Sequence, residues 1–134
     1  MPGLSHITFV VRDLERTAAL LSCVLGAREV YRSGDKTFSI SRERFFLIGD
    51  VWICTMEGDS LSERTYNHVA FSVPENEFDE YARRVADADL EVLPGRARVP
   101  GEGRSIYFYD FDNHLFEIHA GSLKERLRCY SNDS

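Results

Sequence analysis

Two histidines stand at the head of matching apolar segments in this 134-residue chain. His6 opens HITFVV and His68 opens HVAFSV, and an acidic, helix-favouring segment follows each one. An imidazole at the edge of an apolar strand is either a structural residue held by a backbone hydrogen bond or a metal ligand. The repeated placement favours a shared metal site, provided that the fold brings the two segments together.

A third metal ligand is predicted in the late segment HLFEIHAG. Strand alternation puts Leu115, Glu117 and His119 on one face and Phe116 and Ile118 on the other. Burying a carboxylate among apolar neighbours is costly unless it is paired or bound to metal, so Glu117 is the expected ligand. The pattern alone leaves an alternative, a half-exposed edge strand with Glu117 and His119 in solvent.

The elements that must position these residues repeat along the chain. In the first half, periodicity predicts a helix that begins at the N-cap Asp13 and ends at Gly26, and strands over 4–11, 28–32, 37–48 and 51–57. The second half predicts the same order, with a helix over 75–89 and strands over 67–73, 91–93, 105–111 and 114–120.

This repeat defines the expected fold class. We predict an α+β protein of paired βαβββ modules, about 3–58 and 66–121, within a single domain over 1–134. Neither module can bury its sheet alone, so the two are expected to pack together. An amphipathic tail over 122–134 closes the chain.

Composition limits the classes of partner. The formal net charge is −6 and the basic residues are scattered, so neither nucleic acid nor a membrane surface is an expected partner, whereas a small ligand or another protein is. Three cysteines without metal-finger spacing fit a reducing cytosol better than a disulfide framework. Arg12 and Asp13 interrupt the first apolar run, which argues against a signal peptide or a membrane span. We therefore expect a soluble, cytoplasmic protein.

Several segments resemble one known family from about residue 3 to residue 130. GLSHITFVVRDLERT, ERTYNHVAF, GEGRSIYFYDFDNHLFEIHAG and LKERL are similar to the vicinal oxygen chelate (glyoxalase/bleomycin resistance/dioxygenase) superfamily. Within it they most resemble the FosX type of fosfomycin-resistance enzymes, the fosfomycin epoxide hydrolases. The resemblance implies Mn2+ held by His6, His68 and Glu117, with other divalent metals able to occupy the site. It also implies a homodimer, with modules swapped between the chains.

The implied reaction adds water to the epoxide of fosfomycin to give a diol. The resemblance assigns Glu43, in SRERFFLIGD, as the general base that activates water, while the metal polarises the epoxide oxygen. Attack at the carbon that bears the phosphonate is implied as well. Spacing alone would favour a different interpretation of Glu43, as an ordinary glutamate in a charged surface turn.

Phosphonate recognition requires cationic and hydroxyl donors. The residues that match the family's donors are Thr8, Tyr66, Arg98, Ser105, Tyr107 and Arg126. Arg96 fits the place of Arg98 nearly as well, and each arginine has the ordinary alternative of a solvated surface charge.

Two other functions stay open at this point. One is a thiol transferase that opens the same epoxide with glutathione or bacillithiol. The other is a binding protein that sequesters a drug without catalysis, which the complete set of metal ligands disfavours.

Overall fold

The computed structural model describes residues 1–95 and 102–132, which form two units with the same strand order. The first unit comprises residues 1–64 and 110–114. The second contains the other described residues from 65 onward. Each unit has one four-stranded sheet, so the predicted fold class of paired βαβββ modules is confirmed.

The first unit follows the predicted βαβββ order. Its elements are β1 (His6–Val11), α1 (Leu14–Leu25), β2 (Arg28–Arg32), β3 (Glu43–Ile48) and β4 (Val51–Glu57). The strands lie in the order β1-β4-β3-β2, with β1 parallel to β4 and the other neighbours antiparallel.

Helix α1 is defined at both ends by the residues that the sequence indicates. The Asp13 side chain accepts a hydrogen bond from the Arg16 backbone amide, whose nitrogen is 3.1 Å away. Gly26 ends the helix with a φ of 65°, a left-handed conformation that glycine adopts at little cost. The buried helix residues Leu21 and Val24 belong to the core of this unit, as does Phe9 of β1.

The second unit repeats the same arrangement and adds a terminal helix. Its elements are β5 (His68–Ser72), a 3-10 turn (Glu75–Glu77), α2 (Phe78–Asp87), β6 (Val92–Leu93), β7 (Arg104–Tyr109), β8 (Leu115–Ala120) and α3 (Leu123–Asn132). The strand order is β5-β8-β7-β6, and β5 is parallel to β8. Strand β8 is therefore interior to the sheet.

The predicted bounds of three elements were wrong. The strand expected over 37–48 begins only at Glu43, because its pairing with β2 ends where Arg32 lies opposite Arg44. Residues 38–41 form bends instead of a strand. Two apolar side chains in those bends, Phe38 and Ile40, are 81% and 90% exposed, although their alternation is typical of a strand.

The helix expected over 75–89 starts as the 3-10 turn and ends at Asp87. The strand expected over 105–111 starts at Arg104 and ends at Tyr109, because Asp110 begins a turn. The Asp110 side chain accepts hydrogen bonds from the amides of Asp112 and His114, each at 2.8 Å.

In the part of the chain that the structure describes, no helix combines the length and the apolar character needed to cross a membrane.

Candidate active site

The predicted site residues of the second unit share one face of its sheet. The register pairs Glu117 with both Ala70 and Tyr107, and it pairs Ser105 with His119. Because side chains alternate along a strand, this face presents the side chains of His68, Ser105, Tyr107, Glu117 and His119. Glu117 is only 4% exposed and lies in an interior strand, so the alternative of a solvated edge strand is wrong.

His68 and Glu117 form a close pair. The Nε2 atom of His68 is 3.0 Å from Oε1 of Glu117. On the other side of the ring, Nδ1 is 2.7 Å from the backbone carbonyl oxygen of Tyr66. A carbonyl can only accept, so Nδ1 carries a proton, and in the neutral form of the ring the Nε2 lone pair points at the carboxylate.

This pairing suits a divalent cation. Two lone pairs that face each other across 3.0 Å repel unless a proton or a cation lies against both of them. Two neighbouring ligands on an octahedral ion with bonds of about 2.1 Å lie roughly 3 Å apart. The nitrogen and oxygen donors, together with their spacing, therefore fit a metal such as Mn2+. His6 belongs to the first unit, and its place as the third ligand stays a prediction.

Ser105 contacts the predicted metal ligand directly. Its Oγ is 2.5 Å from Oε2 of Glu117, and the serine hydroxyl donates because an ionised carboxylate only accepts. The same Oγ is 2.7 Å from Nδ1 of His119. Ser105 was predicted from resemblance to bind the phosphonate, and that role stays a prediction.

Two tyrosines surround the His68 ring. The ring of Tyr66 lies 4.9 Å from His68 and is largely exposed, and the buried ring of Tyr107 lies 5.3 Å from it at a steep angle. Edge-to-face contacts of this kind fix the orientation of an imidazole. Both tyrosines therefore help to fix the orientation of His68, the predicted metal ligand.

Arg126 projects from α3 towards the same group of residues. Its Nη2 is 3.5 Å from Nε2 of His119, and its Nε is 3.5 Å from Oε1 of Glu102. The Glu102 side chain is fully buried and also accepts a hydrogen bond from the hydroxyl of Tyr130, at 2.6 Å. Arg126 is thus supported by a buried carboxylate. The predicted Arg98, like its alternative Arg96, lies outside the described residues.

The remaining predicted residues lie on one face of the first sheet. The register pairs His6 with Trp52 and Thr8 with Cys54 in the parallel strands β1 and β4. Cys54 is paired with Phe45 of β3, and Glu43 lies two residues earlier on the same side of that strand. His6 contacts the Trp52 ring at 4.1 Å and Ser5 through Nδ1 at 2.9 Å.

Glu43 is a buried carboxylate that accepts a weak hydrogen bond from a neighbouring thiol. Its side chain is enclosed, with the residue 7% exposed, so the interpretation as a surface-turn glutamate is wrong. Among the described residues, its side chain has one hydrogen-bond partner, the Cys54 thiol, with Sγ 3.8 Å from Oε1. A thiol is a weak donor, so most of the hydrogen-bonding capacity of this carboxylate is available to other groups.

Burial and the nearby Glu43 carboxylate raise the pKa of the Cys54 thiol to about 11. At pH 8 roughly one Cys54 in a thousand is then a thiolate, whereas Cys23 is exposed. We expect a thiol reagent at pH 8 to label Cys23 rapidly and Cys54 only after unfolding. Stopped-flow labelling checks this in a Cys129→Ser background, because Cys129 is also free and part-exposed. There Cys23→Ser should remove the fast phase, whereas loss of that phase in Cys54→Ser would contradict the assignment.

Sequence reasoning missed two residues of this site. Glu102 stands between two glycines in GEG, and nothing in the local pattern predicts its complete burial or its contact with Arg126. His119 was placed on the face of Glu117, but without a function. Its position two residues after a predicted ligand on the same strand face was the available signal.

Comparison with known proteins agrees with this fold. The model of the glyoxalase/bleomycin resistance protein/dioxygenase superfamily matches residues 3–118. The fosfomycin resistance protein FosX of Listeria monocytogenes is 60% identical over 128 residues, which are 96% of each chain.

A solved structure and a more distant relative complete the comparison. A crystal structure of a mutant FosX from Listeria monocytogenes, complexed with Mn(II) and 1S,2S-dihydroxypropylphosphonic acid, has a TM-score of 0.88 and 57% identity. It covers 97% of this chain and 98% of its own. The metallothiol transferase FosB of Shouchella clausii is 35% identical, over 96% of this chain and 86% of its own. The present chain belongs to the glyoxalase/bleomycin resistance/dioxygenase superfamily and, within it, to the FosX fosfomycin resistance proteins.

Proposed function

We propose that this protein is a Mn2+-dependent epoxide hydrolase that adds water across the ring of fosfomycin to give a diol. The level of identity to FosX, well above that to the thiol transferase FosB, supports the hydrolase over the transferase. The dihydroxypropylphosphonic acid bound to the similar FosX is a diol of the kind that this hydrolysis gives.

The proposed metal ligands are His6, His68 and Glu117. The close Nε2 to Oε1 approach of His68 and Glu117 supports two of them, and the matching position of His6 at the head of β1 supports the third. When bound, Mn2+ supplies Lewis-acid polarisation of the epoxide oxygen, which weakens the carbon–oxygen bond that must break.

Glu43 is the proposed general base, and the observation that carries this role is its burial without a cationic partner among the described residues. The neighbouring Arg44 is instead paired with Glu15 and Glu29, at 2.9 and 3.3 Å. Within the described part of the chain no salt bridge neutralises the Glu43 carboxylate, which can take a proton from water as the water oxygen attacks. Attack at the carbon that bears the phosphonate breaks its bond to the ring oxygen, which leaves with the electron pair and is then protonated.

The phosphonate is proposed to be bound by donors from several elements. Arg126 supplies positive charge. Its contacts with Glu102 and His119 hold the guanidinium in a fixed orientation. The other proposed donors are Thr8, Tyr66, Arg98, Ser105 and Tyr107.

The proposal includes a homodimer of single-domain chains, each with modules over 3–58 and 66–121 and a tail over 122–134. Large apolar side chains exposed on one chain support such an interface, namely Phe38, Ile40, Leu123 and Leu127. Light scattering should give twice the mass of one chain. A cytoplasmic location is proposed as well, because the three cysteines are free.

Phosphorus NMR of fosfomycin with the Mn2+-loaded protein tests the reaction. In thiol-free buffer we expect the diol, and added glutathione should leave the product unchanged. A product that appears only with thiol would assign the protein to the transferases, and bound fosfomycin without any product would assign it to the drug-binding proteins.

A further inference from the structure

His119 lies next to the proposed metal centre, although it is not one of the proposed ligands. It shares the sheet face of Glu117, and its register partner on β7 is Ser105. The Ser105 hydroxyl oxygen contacts both, 2.5 Å from Oε2 of Glu117 and 2.7 Å from Nδ1 of His119, which are 3.5 Å from each other. Both distances are those of good hydrogen bonds.

The direction of each hydrogen bond follows from the number of protons. Ser105 has one hydroxyl proton, which it donates to the carboxylate of Glu117. The bond between Ser105 and His119 must then run the other way, with Nδ1–H of the imidazole donating to the hydroxyl oxygen. The other ring nitrogen, Nε2, faces the Arg126 guanidinium, a donor, at 3.5 Å, as an acceptor would.

These hydrogen bonds give the two carboxylate oxygens of Glu117 different partners. Oε2 of Glu117 is held by Ser105, so Oε1 is left directed at Nε2 of His68, where the metal is proposed to bind. A serine hydroxyl can rotate among several acceptors. The proton on Nδ1 of His119 limits that freedom, because a hydroxyl that accepts from Nδ1 cannot also donate to it and is left to donate towards Glu117.

The imidazole of His119 is itself held tightly. A Cβ atom added to Gly121 would lie 2.8 Å from Nε2 of His119, so the glycine backbone packs directly on the ring. The His119 side chain is only 13% exposed. The ring therefore has little room to turn away from Ser105.

We propose that His119 is a positioning residue that orients the metal ligand Glu117 through Ser105. The inference rests on the proposed metal site. Outer groups that orient metal ligands typically contribute about 10–100-fold to metal affinity. The role of His119 should therefore appear in Mn2+ binding itself, before any substrate is added.

Two isosteric variants separate positioning from simple packing. In His119→Asn the amide nitrogen can occupy the place of Nδ1 and still donate to Ser105. In His119→Gln the amide reaches the place of Nε2, and the donor to Ser105 is lost. The free Mn2+ signal in electron paramagnetic resonance gives the dissociation constant of each variant, and circular dichroism confirms that each is folded.

We expect His119→Gln to raise the Mn2+ dissociation constant by about 10–100-fold, and His119→Asn to recover most of the affinity. In a Ser105→Ala background, His119→Gln should lower the Mn2+ affinity little further, because both changes break the same series of hydrogen bonds from His119 to Glu117. Equal losses in the two variants, or unchanged affinity in His119→Gln, would overturn the role. If the parent protein bound no Mn2+, the metal site would fail and this inference with it. Since the readout is metal binding, the result does not depend on fosfomycin hydrolysis.

Discussion

Replacing Glu43 with glutamine is expected to lower kcat for fosfomycin hydrolysis by about 10²–10⁴-fold while Mn2+ binding is retained. Glutamine keeps the size of the side chain but cannot take a proton from water. The protein should not be destabilised, because the change removes a buried charge whose one side-chain partner in the described structure is a thiol. Steady-state kinetics, Mn2+ titration and thermal unfolding measure the three parts of this prediction.

Glu15→Gln is the matched control for this experiment. Glu15 is also a carboxylate of the first unit, but its side chain is 80% exposed and paired with Arg44. Exposed pairs contribute about 0–1 kcal/mol, so this variant should keep both activity and stability close to those of the parent. If Glu43→Gln retained full activity in thiol-free buffer, another group would have to act as the base.

Replacing Glu117 with glutamine is expected to remove most Mn2+ affinity, and activity with it. The amide carries no negative charge, and its oxygen is a weaker ligand than a carboxylate oxygen. The loss should exceed the roughly 10–100-fold typical of outer-shell partners. Isothermal titration with Mn2+ measures the affinity directly.

Glu80→Gln provides the comparison in the same unit. Glu80 is an exposed carboxylate on α2, where its pairing with Arg83 lowers its pKa. Its removal should leave Mn2+ affinity unchanged. If Glu117→Gln bound Mn2+ nearly as tightly as the parent protein, Glu117 would not be a metal ligand. His68 and His6 would then need a different third ligand.

Local patterns were sufficient for much of the fold. Helix α1 was predicted with both ends because Asp13 and Gly26 act within one turn of the helix. The face of Glu117 was predicted because alternation in a strand depends only on neighbouring residues. The segment over 37–42 was not, because its alternating Phe38 and Ile40 mimic a strand although pairing with β2 ends near Arg44.

The details of the site depend on contacts between residues that are distant in sequence. Glu43 meets Cys54 only because β3 and β4 pair with Phe45 opposite Cys54. Ser105 reaches Glu117 because β7 and β8 pair in a register that no local pattern specifies. Residue types therefore suggested the chemistry, whereas strand register determined which groups support it.

Hydrolysis of fosfomycin in oxygen-18 water, with glutathione also present, tests the central claim most directly. If water is the nucleophile and Glu43 activates it, mass spectrometry should show a diol that carries one oxygen-18 atom on the carbon bearing the phosphonate. The Glu43→Gln protein should form that diol far more slowly. A glutathione adduct without labelled diol would contradict the account.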